Sequence, residues 1–191
     1  MAAVQTVRVQ TAEGNEFELE YQHVKLSKTL TDIVEDLGDE MTVIPLPNVS
    51  GDVFKKIVEY FASPVVDLSR ASIEKLEPED LRKEKFDQYM KWYDTYFDAM
   101  TTEIDGKTQP DCTKYCPLLV ACNYLAIQNL LDETSKRIAM HLEKEDSTPE
   151  VIRAVWHLPD DLTPEEKAAV ERELEEATAL EESEEEGEES E

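Results

Sequence analysis

Three cysteines and three histidines are the residues best suited to chemistry in this chain: Cys112, Cys116 and Cys122, with His23, His141 and His157. A zinc site would draw on a CxxC pair or a paired-histidine motif, and neither spacing occurs. Cys116 and Cys122 belong to an apolar helical pattern, so the thiols read as buried and structural. A Cys–His nucleophile stays open at this level, because such partners meet only in the fold. Asp105-Gly106-Lys107-Thr108 has the ending of a phosphate-binding loop, but the first glycine that loop needs falls on Thr101 and no apolar strand precedes it. The carboxylates gather in helix first turns and in the C-terminal tail, which describes a solvated surface and not an acid–base pair. The aromatic set from Tyr89 to Phe97 has the spacing of packing residues. These residues predict a protein that is not an enzyme and holds no cofactor or metal.

Composition narrows the partners. The 191 residues carry a formal net charge of -26, and that surface argues against nucleic acid and against anionic membranes. A hydrophobic share of 40% suffices for a core, no apolar run has the length of a membrane span, and MAAVQTVRVQ lacks the apolar centre of a signal peptide. An odd cysteine count fits a reducing compartment. A soluble intracellular protein is expected.

The elements that must position these residues follow from periodicity. Residues 4–24 alternate as a β-hairpin: Val7 and Val9, a Glu13-Gly14-Asn15 turn, then Phe17, Leu19 and Tyr21. Leu30, Ile33, Val34 and Leu37 line one face of a helix that Gly38 should stop. Val43–Pro47 reads as a short strand whose prolines suit a strand end or edge, and Ser50 as the cap of a helix bearing Val53, Phe54, Ile57, Val58 and Phe61. Residues 63–91 are highly charged with scattered apolar positions, which predicts a partly mobile surface excursion with one or two marginal helical turns. Thr101–Thr113 reads as a polar connection. It leads into two helices within residues 116–143, with Pro117 in the first turn of the first helix. That helix carries Leu118, Leu119, Ala121, Cys122 and Leu125, with Asn123 and Tyr124 as an outward rim. The second buries Leu130, Leu131, Thr134, Ile138 and Leu142, and places Asp132–Lys136 and Glu133–Arg137 pairs on its wet face.

Ser147-Thr148-Pro149-Glu150 and Thr163-Pro164-Glu165-Glu166 are two further helix starts, each with a capping hydroxyl, a first-turn proline and acids. The first opens a helix with Val151, Ile152, Val155 and Trp156; the second opens one with Ala168, Val170 and Leu174. Both are too short to persist without packing. The domains expected are a body over residues 4–143, two C-terminal helices over 147–176, and a disordered acidic tail over 177–191.

Six stretches, in order, resemble the Skp family, the adaptors of SCF ubiquitin ligases within the BTB/POZ superfamily. VRVQTAEGNEFELE resembles the opening hairpin, TLTDIVEDLG the helix before an acidic loop, and VIPLPNVSGDVFKKIVEYF the PVPLPNV segment with its helix. WYDTYF resembles the WDxxF stretch, ACNYLAIQNLLD is the strongest match, and STPEVIRAVWHLPDDLTPEEKAAVERE is similar to the paired TPE helices. The fold so implied is α/β (α+β), a small BTB/POZ-like sheet covered by helices, plus two C-terminal helices. Departures are the acidic loop cut to Asp39-Glu40-Met41-Thr42, the longer 63–91 segment, Cys116 and Leu162 and Trp156 in place of phenylalanines, and Glu176 where the family has tryptophan.

The function implied by the resemblance is a non-catalytic adaptor between a cullin scaffold and the F-box proteins that serve as substrate receptors, in the cytoplasm and nucleus. Asn123, Tyr124, Pro47 and Asn48 would meet the cullin. Leu130, Ile138, Leu142, Ile152, Val155, Trp156, Leu162 and Val170 would meet the F-box. Pro164 matches a proline that some protist members hydroxylate and glycosylate. The alternative is a BTB-type assembly module of a non-cullin complex or a homo-oligomer.

Overall fold

The computed structural model describes residues 6–37, 43–104, 106–142 and 148–174. Gly38, the Asp39–Thr42 loop, Ser147 and the acidic tail lie outside the described residues. The chain divides into two units, one ending at His157 and the other starting at Leu158.

The first unit opens with β1 (Thr6–Thr11) and β2 (Glu16–Glu20), paired antiparallel with Val7 opposite Leu19 and Val9 opposite Phe17. The alternation in the sequence is therefore the register of the sheet: Val7, Val9 and Leu19 are buried while Arg8 and Glu18 face water. Tyr21 is not a strand residue. It begins α1 (Tyr21–Val24), a single turn that leads into α2 (Lys28–Leu37). The third strand, β3 (Ile44–Leu46), adds parallel to β1 and leaves β1 central in the order β2-β1-β3. An edge position is what lets β3 accept Pro45, which has no amide hydrogen to give.

Helix α3 (Gly51–Phe61) has Ser50 at its N-cap, but the serine side chain makes no capping bond. The Glu13 carboxylate, from the β1–β2 turn, accepts from the Gly51 amide at 2.8 Å. A carboxylate at a helix start satisfies an orphan donor and the helix dipole together. It also ties the hairpin to the helix layer, a link that local sequence cannot show.

The charged segment after α3 is more ordered than expected. It holds α4 (Arg70–Ile73), closed by a Ser69/Ser72 capping box, and the first half of the 20-residue α5 (Glu79–Asp98). Its sparse apolar residues do the anchoring, since Val65, Ile73 and Tyr89 are all buried. The second half of α5 supplies an aromatic seam. Tyr93 stacks on Phe97 and Phe97 on Tyr115 at centroid separations of 5.9 and 5.3 Å. The Tyr96 hydroxyl donates to the Lys56 carbonyl at 3.0 Å, joining α5 to α3.

The polar connection after α5 is a second hairpin, β4 (Thr101–Ile104) and β5 (Lys107–Pro110), turning at Gly106 with φ 74°. Next, α6 (Cys112–Tyr124) starts earlier than the proline suggested, so Pro117 lies inside it and the Thr113 carbonyl loses its helical donor. Thr113 is exposed, where water can serve that carbonyl. Asp111 caps α6, accepting from the Thr113 amide at 3.0 Å. Bonds from Thr113, its largest influence, hold the Asp111 carboxyl below the usual carboxylate range. A depressed folded pKa contributes stability above the unfolded value of about 3.9 and loses it as pH falls through the folded one. Asp111→Ala should therefore cost about 1 kcal/mol at pH 7. Urea titrations of both proteins at falling pH should show that gap narrow below about pH 4.

Helices α6 and α7 (Gln128–Leu142) meet at a tight corner with Ala126 in the left-handed region at φ 52°. The Ile127 amide donates to the Cys122 carbonyl at 2.9 Å and the Ala126 amide to the Asn123 carbonyl at 3.1 Å, the pair of bonds of a Schellman ending. Alanine at that position pays for its Cβ where glycine does not. Ala126→Gly should raise stability by about 0.5–1 kcal/mol, read as a higher urea midpoint at unchanged slope. Beyond α7, the first unit ends with α8 (Pro149–Trp156), capped by the Thr148 hydroxyl.

The second unit is helical over residues 164–174, here α9. Thr163 and Glu166 form the expected capping box: the Thr163 amide donates to the Glu166 carboxylate at 2.8 Å, and the Glu166 amide to the Thr163 hydroxyl at 3.3 Å. Pro164 is exposed in its first turn.

Candidate partner-binding surfaces

Cys112 and Cys116 are neighbours on α6, while His23, His141 and His157 belong to three other elements. No group of three potential metal ligands exists among the described residues. Burial and the neighbouring Cys116 push the Cys112 thiol up to about 11, and burial pushes Cys122 up to about 12. A nucleophilic cysteine needs the opposite shift. His23 stacks on Phe61, His141 borders a cavity beside α8, and His157 ends α8 in the left-handed region.

The α6–α7 corner forms the first candidate surface. Asn123 is exposed and Tyr124 half-buried. The end of α6 is tied to α2 and its leading turn: Thr29 Oγ1 donates to the Tyr124 carbonyl at 2.9 Å, and Ser27 Oγ to the buried Leu125 carbonyl at 2.5 Å. One helical turn before Asn123, Val120 is 60% exposed, and Pro117 is exposed a further turn back. The outer face of α6 thus sets Pro117 and Val120 between Thr113 and Asn123, an exposed apolar step that invites a partner. Pro47 and Asn48 are exposed in the turn between β3 and α3. From that turn Ser50 borders a surface cavity whose other wall includes Pro117 and Leu118 of α6.

Helices α7 and α8 form the second. Ile138 and Leu142 of α7 surround a small apolar cavity with Val151, Ile152, Val155 and Trp156 of α8. Ile138, Ile152 and Trp156 are half-buried and Leu142 is exposed, while Val155 is buried. Leu130, expected on this face, is 0% exposed and belongs to the core, so it cannot touch a partner. Leu162 and Val170 are exposed in the second unit.

The pairs expected on the wet side of α7 are not those observed. Asp132 accepts from Gln128, not from Lys136. Glu133 points inward with 2% of its side chain exposed and takes both Arg70 bonds, at 2.5 and 3.1 Å. Arg137 turns instead to Asp94 of α5. Four residues absent from the expected site also border the α7–α8 cavity: His141 and Val151 of the two helices, and Gln109 and Pro110 of the second hairpin. A signal for that hairpin was present, an Asp-Gly turn dipeptide between short β-branched runs, in the same residues that imitate a phosphate loop.

Known proteins align along most of this chain. The Skp1 family tetramerisation domain matches residues 5–65 and the Skp1 family dimerisation domain residues 128–177. SKP1-like protein 14 of Arabidopsis thaliana is 32% identical over 85% of this chain and 90% of its own length. The SCF ubiquitin ligase complex protein SKP1a of Dictyostelium discoideum is 30% identical, over 88% and 93%. Suppressor of kinetochore protein 1 of Schizosaccharomyces pombe is 29% identical, over 88% and 95%. Among the described residues, no helix is long and apolar enough to cross a membrane. The chain is a member of the Skp1 family, whose proteins are non-catalytic adaptors.

Proposed function

We propose that this protein links a cullin scaffold to F-box substrate receptors in an SCF-type ubiquitin ligase, in the cytoplasm and nucleus. Asn123 and Tyr124, with Pro47 and Asn48, form the cullin face. The α7–α8 face takes the F-box, and in the second unit Leu162 and Val170 are taken separately as F-box contacts. The observation carrying this reading is the half-buried apolar set Ile138, Ile152 and Trp156 beside the exposed Leu142, on helices whose relatives include named SCF subunits. Short helices with a partly covered apolar face suit completion by a partner helix. Pro164, exposed at the start of α9, is a candidate for hydroxylation and glycosylation.

Changing Asn123 and Tyr124 together to Ala should weaken cullin capture about tenfold or more and leave F-box capture near normal. Truncation after Asp160 should reverse that pattern. Undiminished F-box binding by the truncated chain would move the receptor site elsewhere. A second reading, an assembly module outside cullin complexes, draws on the relative named for the kinetochore. It gains if the full chain captures neither a cullin nor an F-box protein.

A further inference from the structure

The β4–β5 hairpin is tied to the core at its base. Met100, just before β4, is buried, and its carbonyl accepts from the Asp111 amide at 2.9 Å across the hairpin's foot. Asp111 then caps α6, and Thr101 pairs with Pro110 to start the ladder. From this footing the hairpin reaches the α7–α8 face. Gln109 is 5% exposed, Pro110 is buried, and both border the cavity shared with Ile138, Leu142, Val155 and Trp156.

Helix α8 has little of its own to hold it. It is eight residues long, and isolated helices shorter than about 12–15 residues are marginal in water. Its Thr148 cap is long, at 3.4 Å, and it ends on a left-handed His157. Its closest backbone neighbours are α6 and β4. A helix this short persists only where it is packed, and the hairpin is one of the elements it packs on.

We propose that the β4–β5 hairpin is the positioning element of the α7–α8 face: it holds α8 in place, through Gln109 and Pro110, so that the face is formed before a receptor helix arrives. Preformed surface spares a partner the cost of ordering it. The value of this to F-box binding rests on the function proposed above, whereas the hold on α8 does not.

The test uses the full chain with residues 102–109 replaced by Asn-Gly, which closes Thr101 on Pro110 with a favoured two-residue turn. Amide hydrogen exchange is read over residues 151–156, with α3 as control. The α8 amides should exchange about tenfold faster or more, with α3 unchanged. F-box peptide binding should weaken about tenfold. Unchanged α8 protection overturns the proposal. Faster exchange with unchanged or tighter F-box binding overturns the positioning role, since the hairpin would then merely cover the face. If α3 loses protection too, the paired Gln109→Ala and Pro110→Ala variant, which keeps both strands, decides by the same readout: faster exchange confined to α8 supports the hold and no change refutes it. An unmodified chain that binds no F-box peptide defeats the receptor reading, and exchange in α8 still decides the hairpin's hold.

Discussion

Arg70→Met should destabilise the protein by about 3 kcal/mol, near the lower end of the range for stranding one member of a buried ion pair. Glu133 has 2% of its side chain exposed, and Arg70, at 26%, covers it with two bonds. The guanidinium also lies 5.8 Å from the Phe86 and Tyr89 ring centroids. The bond to Glu133 raises the Arg70 pKa, and burial followed by the same carboxylate raises that of Tyr89. The pair itself need not add much, because desolvation of two charges offsets their attraction. What costs is the carboxylate left behind. Arg70→Met combined with Glu133→Leu should therefore recover most of the loss, and the double-mutant cycle in urea measures the difference. A single variant melting like the parent would show that water reaches Glu133 freely.

Leu125→Asp should be costlier still, about 4–5 kcal/mol, comparable with the whole stability of an ordinary domain. Leu125 is 0% exposed at the end of α6, between the buried Cys122 and Ile127, with its own carbonyl engaged by Ser27. An aspartate there would be taken out of water and set among apolar side chains. Val120→Asp, on the same helix but 60% exposed, is the control and should change stability by less than about 0.5 kcal/mol. A cooperative melt for Leu125→Asp near that of the parent would displace Leu125 from the core.

These two substitutions separate what was legible in the residues from what was not. Leu125 could be assigned inward from its place in an apolar helix, because a helix repeats every 3.6 residues and its inner face shows in the letters. The same holds for Val7, Val9 and Leu19, whose alternation is the register of the sheet, and for Thr163 and Glu166, whose capping box spans three residues. Arg70 could not be assigned, since its partner lies 63 residues away and an i, i+4 neighbour offered a nearer explanation for Glu133. The charged 63–91 segment read as partly mobile because the contacts that order it, by Ile73, Tyr89 and Arg70, follow no helix or strand period, and the Arg70–Glu133 pair spans 63 residues.

The candidate surfaces divide along the same line. Asn123 and Tyr124 stand out by type within an apolar helix, so their place at a rim could be read directly, and the family follows from six stretches kept in order. Which apolar residues face outward could not be read so. Leu130 and Leu142 share one helical stripe, yet the stripe runs from under α6, where Leu130 is sealed, to the open end of α7, where Leu142 is 40% exposed. Periodicity determines a face but not where along it the cover ends. Only the tertiary structure decided that, and it alone brought Gln109 and Pro110 beside α8, because those contacts join segments that share no local pattern and meet through the packing of the whole unit.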